Sequence, residues 1–97
     1  MKKMTEDKKN INAPEIIYAT RGDNKGEINL HWDSVPGASS YIIQQSAYTA
    51  AEKKWKTVDI TFNSFCTLSG LKQNRKYTFR VSAVSLSGQS CWSPETG

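Results

Sequence analysis

From Tyr77 the chain alternates strictly: Tyr77, Phe79, Val81 and Ala83 are apolar, while Thr78, Arg80 and Ser82 between them are polar. A period of two sends successive side chains to opposite faces, so this stretch is predicted to be a half-buried β-strand. Before it, Leu68 and Leu71 flank a Gly70 turn, and the polar stretch Lys72-Gln73-Asn74-Arg75-Lys76 reads as a crossover. A tyrosine opening a strand after such a crossover can bury its ring and turn its hydroxyl back to the crossover backbone. That is the tyrosine corner, which ties together the two sheets of a Greek-key sandwich.

The same alternation recurs along the chain. Ala13-Pro14 introduces a first strand over 15–20, with the proline just outside it, where a missing N–H does no harm. Residues 21–26, Arg-Gly-Asp-Asn-Lys-Gly, make a loop dense in residues that tolerate positive φ. Over 26–33, Ile28, Leu30 and Trp32 share one face, and Asn29, His31 and Asp33 share the other. A turn around Pro36-Gly37 leads to a strand over 41–45, in which Tyr41 and Ile43 share a face. Residues 47–54 form a polar connection. Strands over 55–60, 65–68 and from Tyr77 follow, and Cys91-Trp92-Ser93-Pro94 is predicted as the last strand. Seven short strands with a turn every 8–12 residues or so, and no helical period, predict an all-β, seven-stranded antiparallel Greek-key sandwich. Residues 1–12 read as a flexible basic tail, and residues 13–97 as the domain.

Composition narrows the function. The 97 residues carry 13 Lys and Arg against 9 Asp and Glu, a net charge of +4. Lys2, Lys3, Lys8 and Lys9 fall in the first ten positions, which leaves no basic cluster within 13–97 for nucleic acid to dock on. No apolar run approaches the roughly 20 residues of a membrane span, and the basic start is not followed by the apolar core of a signal peptide. With one histidine and two cysteines outside any ligand spacing, neither a metal nor another cofactor is expected. No glycine-rich phosphate loop joins a strand to a helix. His31 lies out of phase with the core, with only Asp33 on its face and no paired nucleophile, so catalysis is not expected.

Four segments, in order, resemble the fibronectin type III family: Leu30-His31-Trp32; Val35-Pro36-Gly37 to Tyr41-Ile42-Ile43; Leu68-Ser69-Gly70-Leu71 to Tyr77 through Val84; and Ser87-Gly88-Gln89-Ser90 to Trp92-Ser93-Pro94. The resemblance covers 13–95. One departure is Asn74, where many members carry glycine. The resemblance implies an immunoglobulin-like sandwich with sheets A-B-E and C′-C-F-G. It also implies a non-catalytic module, serving as spacer, protein-binding or adhesion domain within a larger surface or secreted protein. An alternative is an accessory module of a secreted carbohydrate-active enzyme. The expected partners are a protein or neighbouring domains, with a glycan as the other possibility and no nucleic acid or membrane insertion. The domain is expected to be monomeric. The chain itself leaves the compartment open; cell-surface or extracellular placement follows if it is part of a larger protein.

The candidate partner face is the outer side of the C′-C-F-G sheet, through Ile42, Gln44, Trp55, Arg80 and Trp92, with the 85–89 loop as a second candidate. Arg80 projects from the outward phase of its strand, and strand pairing predicts that its guanidinium lies over Trp92, an interaction worth about 0.5–1 kcal/mol when exposed. Trp92-Ser93 resembles the second half of the W-S-x-W-S motif of cytokine receptors; the first tryptophan is absent. Trp55 is expected to pack on the sheet edge or to join Ile42 and Tyr48 in an apolar patch, and Trp32 belongs to the core by phase. Arg21-Gly22-Asp23 has the letters of fibronectin's integrin-binding tripeptide, but on the loop joining the first two strands rather than the last two. On the order of one chain in fifty of this length holds it by chance. Cys66 and Cys91 fall on strands at diagonally opposite edges, too far apart for a disulfide, and are expected to be buried or half-buried free thiols.

Overall fold

A computed structural model of the chain describes residues 11–47, 54–72 and 75–96. Seven strands run β1 (Ile17–Arg21), β2 (Ile28–Trp32), β3 (Ser40–Ala47), β4 (Lys56–Thr61), β5 (Phe65–Leu68), β6 (Tyr77–Ser85) and β7 (Gly88–Gln89). They form two sheets, β1-β2-β5 and β4-β3-β6-β7, with every pairing antiparallel. This is the all-β sandwich predicted above, with β1 to β7 in the places of A, B, C, C′, E, F and G.

The alternation decides what is buried. Leu30, Ile43, Phe79, Val81 and Ala83 are wholly shielded from solvent, and Trp32 and Tyr41 nearly so. These in-phase residues fill the space between the sheets. Burying each large side chain contributes about 1.5–3 kcal/mol. Ile11, left in the tail by the sequence reading, joins that core. The 48–53 segment with Tyr48, and Asn74 in the crossover, lie outside the described residues.

Two tyrosines lock the turns. Tyr77 Oη accepts the Lys72 backbone N–H at 3.1 Å, which is the tyrosine corner. Tyr41 makes a second, buried lock that the pattern does not reveal. Its ring meets Trp32 edge-on at 5.3 Å, and its hydroxyl accepts the Val35 N–H at 2.9 Å. The turn between β2 and β3 is thereby pinned to the core.

One predicted element is corrected. The last regular strand is Gly88–Gln89, not Cys91–Pro94. Beyond it the chain still runs beside β6, but serine hydroxyls replace part of the ladder. Ser90, Ser93 and Thr96 donate their backbone N–H groups to the carbonyls of Ala83, Val81 and Phe79. In return, Ser90 Oγ accepts the Ala83 N–H and Ser93 Oγ the Val81 N–H, both at 2.9 Å, while the Thr96 carbonyl accepts the Phe79 N–H at 2.7 Å. Three residues of this segment span two of β6, so it is coiled more tightly than a strand. Backbone carbonyls could not meet every N–H of β6 at that pitch. The Ser90 and Ser93 hydroxyls meet two of them, and the Thr96 carbonyl meets the third.

Candidate functional site

The outer face of β4-β3-β6-β7 carries one built cluster. Arg80 lies midway along β6, opposite Gln44 of β3. Its guanidinium carbon sits 4.2 Å from the centre of the Trp55 ring and 4.4 Å from that of Trp92. The cation is therefore flanked by two indoles, where the strand phase predicted one. Gln44 fixes the third side. Its Oε1 accepts from Arg80 Nε at 3.0 Å and from Nη2 at 2.7 Å, and its Nε2 donates to Thr57 Oγ1 at 3.2 Å.

Local structure explains why these four meet. The register of β3 with β4 slips between Ile43 and Gln44, so Ile43 pairs with Asp59 but Gln44 with Thr57. The extra residue is Val58, so β4 is the strand that bends, and the slip sets Thr57 beside the Gln44 amide. The coiled segment after β7 brings Trp92 back over Arg80. Ile42 lies on the same sheet, opposite Ser82 of β6 and Ile60 of β4. Desolvation lowers the pKa of the Arg80 guanidinium from its ordinary value, and Glu95 acts in the opposite direction. Each cation–π contact contributes about 0.5–1 kcal/mol, more as water is excluded.

The remaining candidates are separate. Arg21 ends β1, and Gly22 and Asp23 follow it into the β1–β2 loop. The loop is tightly knit: Gly22 N–H donates to the Glu27 carbonyl at 3.0 Å, and Asn24 Nδ2 and backbone N–H donate to the Glu27 carboxylate. These bonds hold the Glu27 carboxyl below the usual carboxylate range. A Cβ on Gly22 would lie 2.5 Å from Glu27 Cβ, which is reason enough for glycine there. The 85–89 loop stands at the opposite end, with Leu86 fully exposed. His31 is exposed and stacks on Tyr18 at 4.9 Å across β1 and β2. Cys66 is buried, as expected; Cys91 is exposed, where a buried or half-buried position was expected. Burial first, and Asp59 second, push the Cys66 thiol up to about 12.

The fold is therefore an immunoglobulin-like sandwich whose built surface is a polar–aromatic cluster. A family model described as the fibronectin type III domain matches residues 12–96, and the chain belongs to that family. Members of this family are generally non-catalytic modules. The chain is 35% identical over 80 residues to the tail tube protein gp17.1* of Bacillus phage SPP1, covering 81% of the chain and 27% of that protein. It is 34% identical over 80 residues to fibronectin type III domain-containing protein 7 of Mus musculus, covering 80% of the chain and 10% of that protein. The chain thus spans about a quarter and a tenth of these relatives. Among solved structures, it is similar to a Fn3-like protein from Clostridium thermocellum, with a TM-score of 0.73, 28% identity and 84% of each chain covered.

Proposed function

We propose that the chain is a folded spacer or protein-binding and adhesion module within a larger surface-exposed or secreted protein, docking a partner protein on the outer face of the four-stranded sheet. The observation that carries this reading is the Arg80 guanidinium held between Trp55 and Trp92 by Gln44. Tryptophan and arginine are the residue types that dominate binding energy at protein interfaces. Here their rotamers are fixed beforehand, so binding loses little side-chain entropy. Relatives that match the chain over only part of their length support a role inside a larger assembly.

A photo-crosslinking residue at exposed Thr57, beside Gln44, tests this in the source cells. The same residue at Thr67, exposed on the other sheet, is the control. A discrete adduct from position 57 alone is the expected result; equal labelling from both positions refutes the assignment of the face. The second reading, an accessory module of a carbohydrate-active enzyme, draws on the half-exposed indoles of Trp55 and Trp92. Stacking on sugar rings would change tryptophan fluorescence on titration with soluble glycans, and a flat titration removes that reading.

A further inference from the structure

The two ends of the sandwich are chemically opposite. Among the described residues, the large exposed apolar side chains are Ile16, Tyr18, Ile60, Phe62, Phe65 and Leu86. The registers set Ile17 opposite Trp32, His31 opposite Phe65, Tyr41 opposite Thr61 and Val84 opposite Gln89. All six therefore fall in the half that carries the β2–β3, β4–β5 and β6–β7 connections. Phe62 is 81% exposed and Phe65 58%. The charged side chains described in that half are the carboxylates Glu15, Asp33 and Asp59, with no Lys or Arg among them.

The other half carries Arg21, Lys25, Lys56, Lys72, Arg75 and Lys76, set against Asp23, Glu27 and Glu95. The Leu71 N–H donates to the Gly26 carbonyl at 3.0 Å and joins the β1–β2 loop to the crossover.

We propose that the apolar, acidic end docks against the basic end of a second copy of this chain, head to tail. A two-fold contact between apolar ends would set Glu15, Asp33 and Asp59 against their own copies, so among the described residues charge favours the heterologous arrangement. Burial of Phe62 and Leu86 against the aliphatic stems of Lys72 and Arg75 supplies affinity, and the carboxylates set the register. The proposal departs from the monomer expected from sequence, since alternation along strands does not reveal which end of the sandwich a loop residue occupies. The proposal makes no use of the Trp55–Arg80–Trp92 face, and neither reading depends on the other.

Sedimentation of the whole chain from about 10 μM to about 1 mM, the upper value matching the effective concentration of linked modules, tests it with two double variants. F62S/L86S removes the apolar anchor from one end, and K72E/R75E reverses the charge of the other. The wild type is expected to associate with concentration and less so in high salt. Each variant alone is expected to sediment as a monomer with an unchanged circular dichroism spectrum. A one-to-one mixture is expected to form heterodimers, since each variant retains the end the other lacks. A wild type that stays monomeric throughout overturns the proposal, and so does a mixture that fails to pair.

Discussion

Ser93→Ala removes a single oxygen from a half-exposed segment, yet it is expected to be among the most destabilising surface-layer changes in the domain. Ser93 Oγ accepts the Val81 N–H at 2.9 Å and donates to the Pro94 carbonyl at 3.0 Å. Val81 is wholly buried and Ser93 is 5% exposed, so no water replaces the lost acceptor. An orphaned buried N–H costs about 1–3 kcal/mol, against about 1 for an ordinary exchange of hydrogen bonds. The backbone bond from Ser93 N–H to the Val81 carbonyl remains, so the segment stays docked. We therefore expect a loss of about 2 kcal/mol, which in a domain of this size lowers Tm by about 10 °C. Urea unfolding followed by tryptophan fluorescence reads it out, with a lower midpoint and an unchanged slope. Thr67→Ala, which removes an exposed side-chain bond to Asn29 at 2.7 Å, is the control, expected within about 0.5 kcal/mol of the wild type. A Ser93→Ala variant as stable as that control would mean that the hydroxyl ladder does not hold the segment against β6.

Further outcomes follow from the same geometry. Tyr77→Phe deletes the acceptor of the Lys72 N–H but keeps the ring, and urea unfolding should show a loss of about 1 kcal/mol. Gly26→Ala places a Cβ 2.7 Å from the Leu71 carbonyl oxygen at a φ of 77°, so a loss of about 2 kcal/mol or more is expected in thermal melts. In native protein near neutral pH, a thiol reagent should label the exposed Cys91 and spare Cys66 until the chain is unfolded. The Cys66 thiol ionises from 9.0 when unfolded and only near 12 when folded. The folded state therefore keeps a proton that the unfolded state releases. Stability from this group is intact below pH 9.0 and declines as pH rises toward 12, and Cys66→Ser should flatten that decline in alkaline melts.

The sandwich was legible in the sequence because its core is written in alternation. Phe79, Val81 and Ala83 on one strand and Leu30 and Trp32 on another are buried as their phase requires. The Tyr77 corner was legible for a similar reason: a strand-opening tyrosine follows a breaker-rich crossover. Arg80 over Trp92 could be inferred because strand neighbours in one phase share a face. Trp55 as the second flank could not, since it depends on a bulge between Ile43 and Gln44 that no residue there announces. The last segment was misread as a strand because Trp92 and Pro94 look like strand and terminator. The hydroxyls of Ser90 and Ser93, three residues apart, were the available signal. Tyr41 as a lock on Val35 depends on the fold of the intervening turn, and its position on a core face accounts for it equally well without the bond.

The most direct measurement is the side-chain Nε–H resonance of Arg80 in a 15N-resolved spectrum of the labelled chain. A guanidinium clamped by Gln44 between two indoles should give one sharp, slowly exchanging Nε–H signal, with the adjacent methylene protons shifted upfield by ring currents. Replacing Trp55 or Trp92 with leucine should each remove part of that shift. A rapidly exchanging Nε–H with methylene shifts at free-arginine values would mean that the cluster is not preformed, and the docking face proposed here would lose its basis.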